Sequence, residues 1–393
     1  MKNQSILIIK NGTVITPESE IKDGIVIIEN DKIVAVGKRG EVDEPQNAEN
    51  IDAGGNYISP GFIDIHINGA NGADVSKIDS NTFDTMGSFF PQHGTTAYVG
   101  TTITAVPADI LKALQFARTY LKENKTGVAE LLGIHMEGPY ISPEQSGAHP
   151  KQFLALPKPE HYLQFLEYSD VLLKMTIAPE LEGAEQLVKD LNEKGIVVSA
   201  GHTNGIYSEM KDAIDAGVTH STHFFCNMSH FRRDKLKRVA GVVETLLYDD
   251  RVSGALIGDG WHVDPQLMKL LIKVKGVDRV CFVTDAMPAV GLPDGIHKVG
   301  DVEAVVENGI ARLKDNTAYA GSVTTMDVCV RNGINQVGLS LVDSIRMSSL
   351  TPAKIIGVDN RKGSLEKGKD ADITIFDSNI TIKKTIARGE VIL

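Results

Sequence analysis

Between residues 58 and 358 the chain alternates short, almost uninterrupted apolar runs with longer amphipathic stretches, and eight such runs occur. They end near His66 ("YISPGFIDIH"), Thr101 ("TAYVGTT"), Glu137 ("ELLGIHMEG"), Pro179 ("VLLKMTIAP"), His202 ("IVVSAGH"), His223 ("VTHSTHF"), Asp259 ("VSGALIGD") and Asp285 ("RVCFVTD"). A strand with one wet face alternates apolar and polar residues, so runs like these read as parallel strands covered on both faces. Eight of them, interleaved with helices, predict a closed (β/α)8 barrel of the α/β class. The competing open, doubly wound sheet would want a Gly-rich phosphate loop after its first strand, and "DIHINGANGAD" lacks the G-x-G-x-x-G spacing.

The helices carry their own punctuation. In "DPQLMKLLIKVKG", Asp264 suits the N-cap, Pro265 the first helical position and Gly276 the stop, with Leu267, Leu270, Leu271 and Val274 on one face. Residues 1–57 follow a different pattern, for "ILIIKNGTVIT" and "DGIVIIENDKIVAVG" are short strands broken by turn residues, which predicts a small antiparallel sheet. The pattern returns in residues 359–393, so the two ends are expected to pair as one discontinuous β domain around a barrel of residues 58–358.

With 42% hydrophobic and 23% charged residues, the 393-residue chain has the material for a large core and is no disordered polymer. Its net charge of −11 argues against nucleic acid or an anionic membrane as partner. Cys226, Cys281 and Cys329 lie far apart without a C-x-x-C motif, and Ile6–Ile9 is too short a run for a secretion signal. A cytoplasmic enzyme is expected.

Five of the eight runs end in residues that a two-sided buried strand should not carry: His66, Glu137, His202, His223 and Asp285. In a barrel all five would meet at the C-terminal mouth. Two histidines and a carboxylate with one position open form a catalytic site for a divalent metal of the Zn²⁺ type. Glu137, His202 and His223 are the natural ligands; Asp285 is the natural base for a water whose pKa such a metal lowers to about 7.

These segments, with "HMEGPYISPEQSGAHP", "SAGHTN", "STHFFCNMS", "GDGWHVD", "VTDAM" and "AGSVTTMDVCVRN", resemble the N-acetylglucosamine-6-phosphate deacetylase family of the amidohydrolase superfamily, in unbroken order from about residue 5 to the C-terminus. The resemblance implies a metal-dependent barrel with a small β-sandwich, a homodimer, and hydrolysis of the acetamide of an amino-sugar phosphate. It places the metal on Glu137, His202 and His223, the catalytic aspartate on Asp285, and substrate contacts on His149, His262 and the backbone of Ala318, Tyr319 and Ala320.

Three departures accompany it. Where many superfamily members have His-x-His, this chain has His66-Ile67-Asn68; Asn is a weak ligand, so one divalent ion per chain is expected, Zn²⁺ with Fe²⁺, Mn²⁺ or Co²⁺ as alternatives, and His66 as an occasional extra donor. After His223 the substrate-contacting pair reads Cys226-Asn227. The family arginine that grips phosphate is replaced by a basic run, Arg232, Arg233, Lys235, Lys237 and Arg238, in which Arg233 or Lys235 best matches it by spacing. Because this stretch shapes the pocket, N-acetylgalactosamine 6-phosphate or another N-acyl compound stays open as substrate, as does a silent scaffold that keeps the barrel alone.

Overall fold

The computed structural model describes residues 5–393. Its centre is the expected barrel, with parallel strands β1 (Phe62–Ile67), β2 (Thr95–Thr102), β3 (Glu130–Glu137), β4 (Leu172–Ile177), β5 (Val197–Ala200), β6 (His220–Ser221), β7 (Ser253–Ile257) and β8 (Val280–Val283) hydrogen-bonded in chain order. The ring closes from β8 to β1: Asp285 N donates to His66 O (3.0 Å), Asn68 N donates to Ala286 O (2.8 Å), and Ile67 bridges Ala286. Every residue of β1, β2 and β8 is buried, as the uninterrupted apolar runs require. Among the described residues no helix is long and apolar enough to cross a membrane.

The helix expected after β7 is present as Pro265–Lys275, with the proline at its first position: the Asp264 carboxylate accepts from Gln266 N at 2.8 Å, and Gly276 follows with φ 76°. Its inner face differs from the expected one. Met268, Leu271 and Lys275 are buried, whereas Leu267, Leu270 and Val274 are 40–46% exposed. Lys275 faces inward because its ammonium satisfies Leu246 O (2.8 Å) and Asp249 O (2.6 Å), carbonyls at the end of the preceding helix, Val242–Tyr248.

Both chain ends share one sheet. Tyr57–Pro60 pairs antiparallel with Ile373–Phe376, which joins N-terminal strands Ile6–Ile15, Glu20–Glu29 and Lys32–Lys38 to C-terminal strands Ile382–Ala387 and Glu390–Val391. The sheet is mixed rather than antiparallel, because Ile6–Ile15 runs parallel to both Glu49–Asp52 and Tyr57–Pro60. The chain leaves the sheet after Lys38 and re-enters along the same strand, which a tight hairpin cannot do. Alternate residues fill two apolar layers, Ile9, Val26 and Ile28 with Ile373 on one face and Ile8, Ile25 and Ile27 on the other. The sheet meets the barrel at an ion cluster in which fully buried Lys362 contacts Glu130 (2.6 Å), Asp370 (3.0 Å) and Asp372.

One element has no counterpart in the expectation. After β8 a three-stranded antiparallel meander, Gly295–Val299, Val302–Glu307 and Ile310–Leu313, covers the mouth of the barrel. Its Val299, Ala304, Val306 and Ala311 pack with Ile103, Met287 and Ala320.

Candidate active site

At the C-terminal mouth the five strand-end residues meet. His202, His223 and Asp285 each lie two residues beyond their strands, with φ of 50°, 22° and 51°. Side chains other than Gly resist this left-handed region, at a cost of roughly 1–2 kcal/mol per residue. The surrounding backbone imposes it: His202 O accepts from Ser142 N (2.8 Å), while Asp285 is pinned through its N to His66 and through its O to Ser322 N (2.8 Å).

The focus is the buried carboxylate of Glu137. Its Oε1 lies 2.9 Å from His223 Nε2 and 3.2 Å from His202 Nε2, and those two nitrogens are 3.0 Å apart. Its Oε2 faces His66 Nε2 (3.3 Å) and His149 Nε2 (3.4 Å). Burial alone would raise the Glu137 pKa; the charge on His66 and the bonds from His149, His202 and His223 outweigh it and hold the group well below the ordinary carboxylate range. Burial pulls His223 down, which favours the neutral, ligating imidazole.

The second ring nitrogens sort the histidines. His202 Nδ1 sits 2.8 Å from Gln145 O, a pure acceptor, so the proton is on Nδ1 and Nε2 offers a lone pair. His149 is the reverse: Thr104 N, a pure donor, lies 3.1 Å from its Nδ1, so the neutral ring carries its proton on Nε2. Glu137, His149 and His202 also offer ligand atoms within 4.8 Å of one another. The tautomer nevertheless makes His149 a hydrogen-bond donor and His202 a lone-pair donor, while His223 Nε2 completes a trio with His202 and Glu137. A tetrahedron built on bonds of 2.0–2.1 Å has edges of roughly 3.3 Å, and this trio, spaced at 2.9–3.2 Å, fits a small divalent ion. His223 Nδ1 is buried and has no hydrogen-bond partner among the described residues.

Asp285 Oδ1 accepts from Asn68 Nδ2 at 2.8 Å and lies 3.2 Å from His66 Nε2. The amide of Asn68 therefore anchors the carboxylate, a role that its residue type did not disclose. Opposite, His262 places Nδ1 2.7 Å from Asp259 Oδ2 and lies against the Tyr319 ring, with centroids 4.5 Å apart. Below the site the barrel interior is polar: His135 Nε2 meets Thr176 Oγ1 (2.7 Å), and burial brings the Lys174 ammonium, bonded to Ile65 O (3.0 Å), down to about 8.

These groups surround a cavity of about 280 Å³ whose wall also includes Cys226, Asn227, Ala318, Tyr319 and Ala320. That volume is near the lower end for small-ligand pockets, roughly 300–1,000 Å³, and too small for a polymer. Burial and the charges of Asp285 and Asp259 push the Cys226 thiol up, so it stays protonated and is no nucleophile. The meander carries the 318–320 wall, for Ala320 N donates to Ala311 O (3.1 Å).

Arg233 and Lys235 do not line the cavity. They stand exposed on a hairpin, Arg232–Asp234 with Lys237–Val239, where Arg233 Nε donates to Lys235 O (2.8 Å) and exposed Phe231 and Leu236 flank them. The run folds into two strands and a turn, so its charges point into solvent rather than along one wall. Among the described residues no Lys or Arg lines the cavity.

The chain is similar to the N-acetylglucosamine-6-phosphate deacetylase of Bacillus subtilis, at 36% identity over 98% of this chain and 96% of that protein. The corresponding Haemophilus influenzae enzyme is 34% identical, covering 97% of each. Among solved structures, the Pasteurella multocida deacetylase superposes with a TM-score of 0.92 at 33% identity, covering 98% of this chain and 99% of that one. A Mycobacterium smegmatis deacetylase mutant, solved in complex with N-acetyl-D-glucosamine-6-phosphate, gives 0.89 at 29% identity, covering 99% of both. The amidohydrolase family pattern matches residues 57–392, from the last strand before the barrel almost to the C-terminus, and the chain belongs to that family.

Proposed function

We propose that this chain hydrolyses the acetamide of N-acetylglucosamine 6-phosphate to glucosamine 6-phosphate and acetate, using one divalent metal ion held by Glu137, His202 and His223. The observation that carries the reading is the convergence of two imidazole Nε2 atoms and one carboxylate oxygen within 3.2 Å, beside an anchored second carboxylate. A Zn²⁺-type ion there, with Fe²⁺, Mn²⁺ or Co²⁺ as alternatives, supplies Lewis acidity and lowers the pKa of a water to about 7. His149 donates from Nε2 to the carbonyl oxygen as negative charge builds on it. Asp285 takes a proton from the attacking water and passes it to the amine nitrogen as the C–N bond breaks. Asn68 fixes Asp285 Oδ1 for both transfers, with His66 Nε2 3.2 Å away.

The sugar lies against His262, Cys226, Asn227 and the backbone of Ala318 to Ala320. The phosphate falls to Arg233 or Lys235, which do not line this chain's own cavity and reach it across the interface of a homodimer, in the cytoplasm. The test is acetate release, followed by proton NMR with Zn²⁺-loaded protein, from N-acetylglucosamine 6-phosphate, its galactosamine epimer and unphosphorylated N-acetylglucosamine. The first is expected to have the highest kcat/KM. Equal turnover with and without phosphate overturns the substrate assignment, and absence of turnover on all three overturns the reaction.

A further inference from the structure

The loop after β7 holds a buried pair that the reaction as described does not use. The Asp259 side chain is 6% exposed and the His262 side chain 7%. Asp259 Oδ1 accepts from the backbone N of Trp261 (2.9 Å) and of His262 (3.0 Å), and Oδ2 takes His262 Nδ1 at 2.7 Å. With Nδ1 occupied, Nε2 is the ring nitrogen left for a ligand in the cavity that His262 lines. The Tyr319 ring lies against the imidazole and limits its rotation.

We infer that Asp259 is a positioning residue which fixes the orientation and proton of His262, so that Nε2–H is presented as a donor to a neutral oxygen of the sugar. This rests on the amino-sugar reading above. The arrangement follows a general rule: a buried carboxylate on one imidazole nitrogen sets the tautomer and stabilises the charged ring. The charged groups facing His262 are Asp259 from its own loop and Asp285 from the end of β8. Burial would drive the proton off His262, but these two carboxylates raise its pKa above the usual imidazole value. Asp259, despite burial, is held below the ordinary range by His262 and the two backbone N–H groups. In a cavity that no Lys or Arg lines among the described residues, the protonated ring supplies a donor that comes with its own counter-charge. Its contact is with bound sugar, not with the acetyl group, so its loss falls on binding.

Asp259→Asn keeps an oxygen for the two backbone N–H groups, removes the charge, and places an amide N–H donor where Oδ2 accepts from His262 Nδ1. In the substrate-free, Zn²⁺-loaded protein, two-bond ¹H–¹⁵N NMR reads the His262 tautomer and titration; the variant is expected to titrate at least one pH unit lower than the unmodified chain. With N-acetylglucosamine 6-phosphate, KM is expected to rise tenfold or more while kcat stays within about threefold. The high-pH limb of the kcat/KM profile moves to lower pH, because the unpaired imidazole loses its proton sooner. His262→Gln, which leaves the Asp259 turn in place, is expected to give the same rise in KM, and the double variant no more than either alone. An unchanged His262 titration in Asp259→Asn, or a fall in kcat with KM unaltered in either variant, overturns the inference. If the unmodified protein turns over no amino-sugar phosphate, the substrate reading fails and with it the assigned ligand oxygen, while the NMR titration still decides whether Asp259 controls the ring.

Discussion

His149 and His223 approach the same carboxylate, and the Thr104 N–H on His149 Nδ1 marks His149 as the donor of the two. His223→Ala is expected to lose bound metal and activity together, whereas His149→Gln retains metal while kcat falls by on the order of 10²–10³, the usual loss for one oxyanion donor. Metal content and kcat measured on the same preparations check this, and metal loss in the His149 variant would reverse the assignment. Asp285→Asn keeps the shape of the base without its ability to accept a proton; kcat is expected to drop about 10²-fold or more with little change in KM. A metal-replete variant within about threefold of the unmodified turnover would place the base elsewhere. The strand-end residues were legible because a His, Glu or Asp closing an otherwise apolar run breaks its pattern. Asn68 was not, since a hydrogen-bond partner contributed by a distant residue leaves no mark on local spacing: Asn68 and Asp285 are 217 positions apart.

The same contrast holds for whole elements. The barrel strands are buried on both faces and declare themselves through short, mostly apolar runs, whereas the helix Pro265–Lys275 mixes its signal: Leu267, Leu270 and Val274 look inward by type, yet Lys275 occupies the buried side by capping carbonyls. The meander is readable in principle, for Asn308-Gly309 is a tight-turn pair between alternating strands, with φ of 53° and 77°. Set in a long strand-and-helix alternation, three short half-exposed strands carry too few apolar residues to stand out. For the basic hairpin, spacing alone leaves open which charges share a face, because a two-stranded fold sends successive side chains to opposite faces. If Arg233 or Lys235 nevertheless meets the phosphate, neutralising either raises KM for the phosphorylated sugar by about tenfold and leaves the unphosphorylated sugar unchanged. Equal effects on both sugars would reduce the hairpin to solvated surface.

For the molecule as a whole, the junction between terminal sheet and barrel governs behaviour in acid. Burial would raise the Asp370 pKa, but Lys362, Lys32 and Arg361 hold it at about 2. A carboxyl depressed in this way stabilises the fold above its unfolded value near 4, and the contribution vanishes as pH falls from about 4 to about 2. Its full size, reduced by partial solvent screening of the cluster, is on the order of 1–2 kcal/mol. Thermal melts of the unmodified chain and Asp370→Asn should therefore differ most near neutral pH and converge toward about pH 2.5; a constant gap would mean that the cluster contributes no pH-dependent stability. The overall α/β plan was plain from the eight runs, while the mixed order of the terminal sheet was hidden in a connection whose length alone carries no direction. That sheet also sets a timetable. Tyr57–Pro60 leaves the ribosome early, but the strand that covers its edge, Ile373–Phe376, is made roughly 300 residues later, which at about 5–20 residues per second leaves the edge bare for some 15–60 s. Until β8 (Val280–Val283) is made, the nascent chain thus displays an unpaired β edge beside a barrel still missing its last strands, and a chaperone that shields such edges has its longest opportunity there.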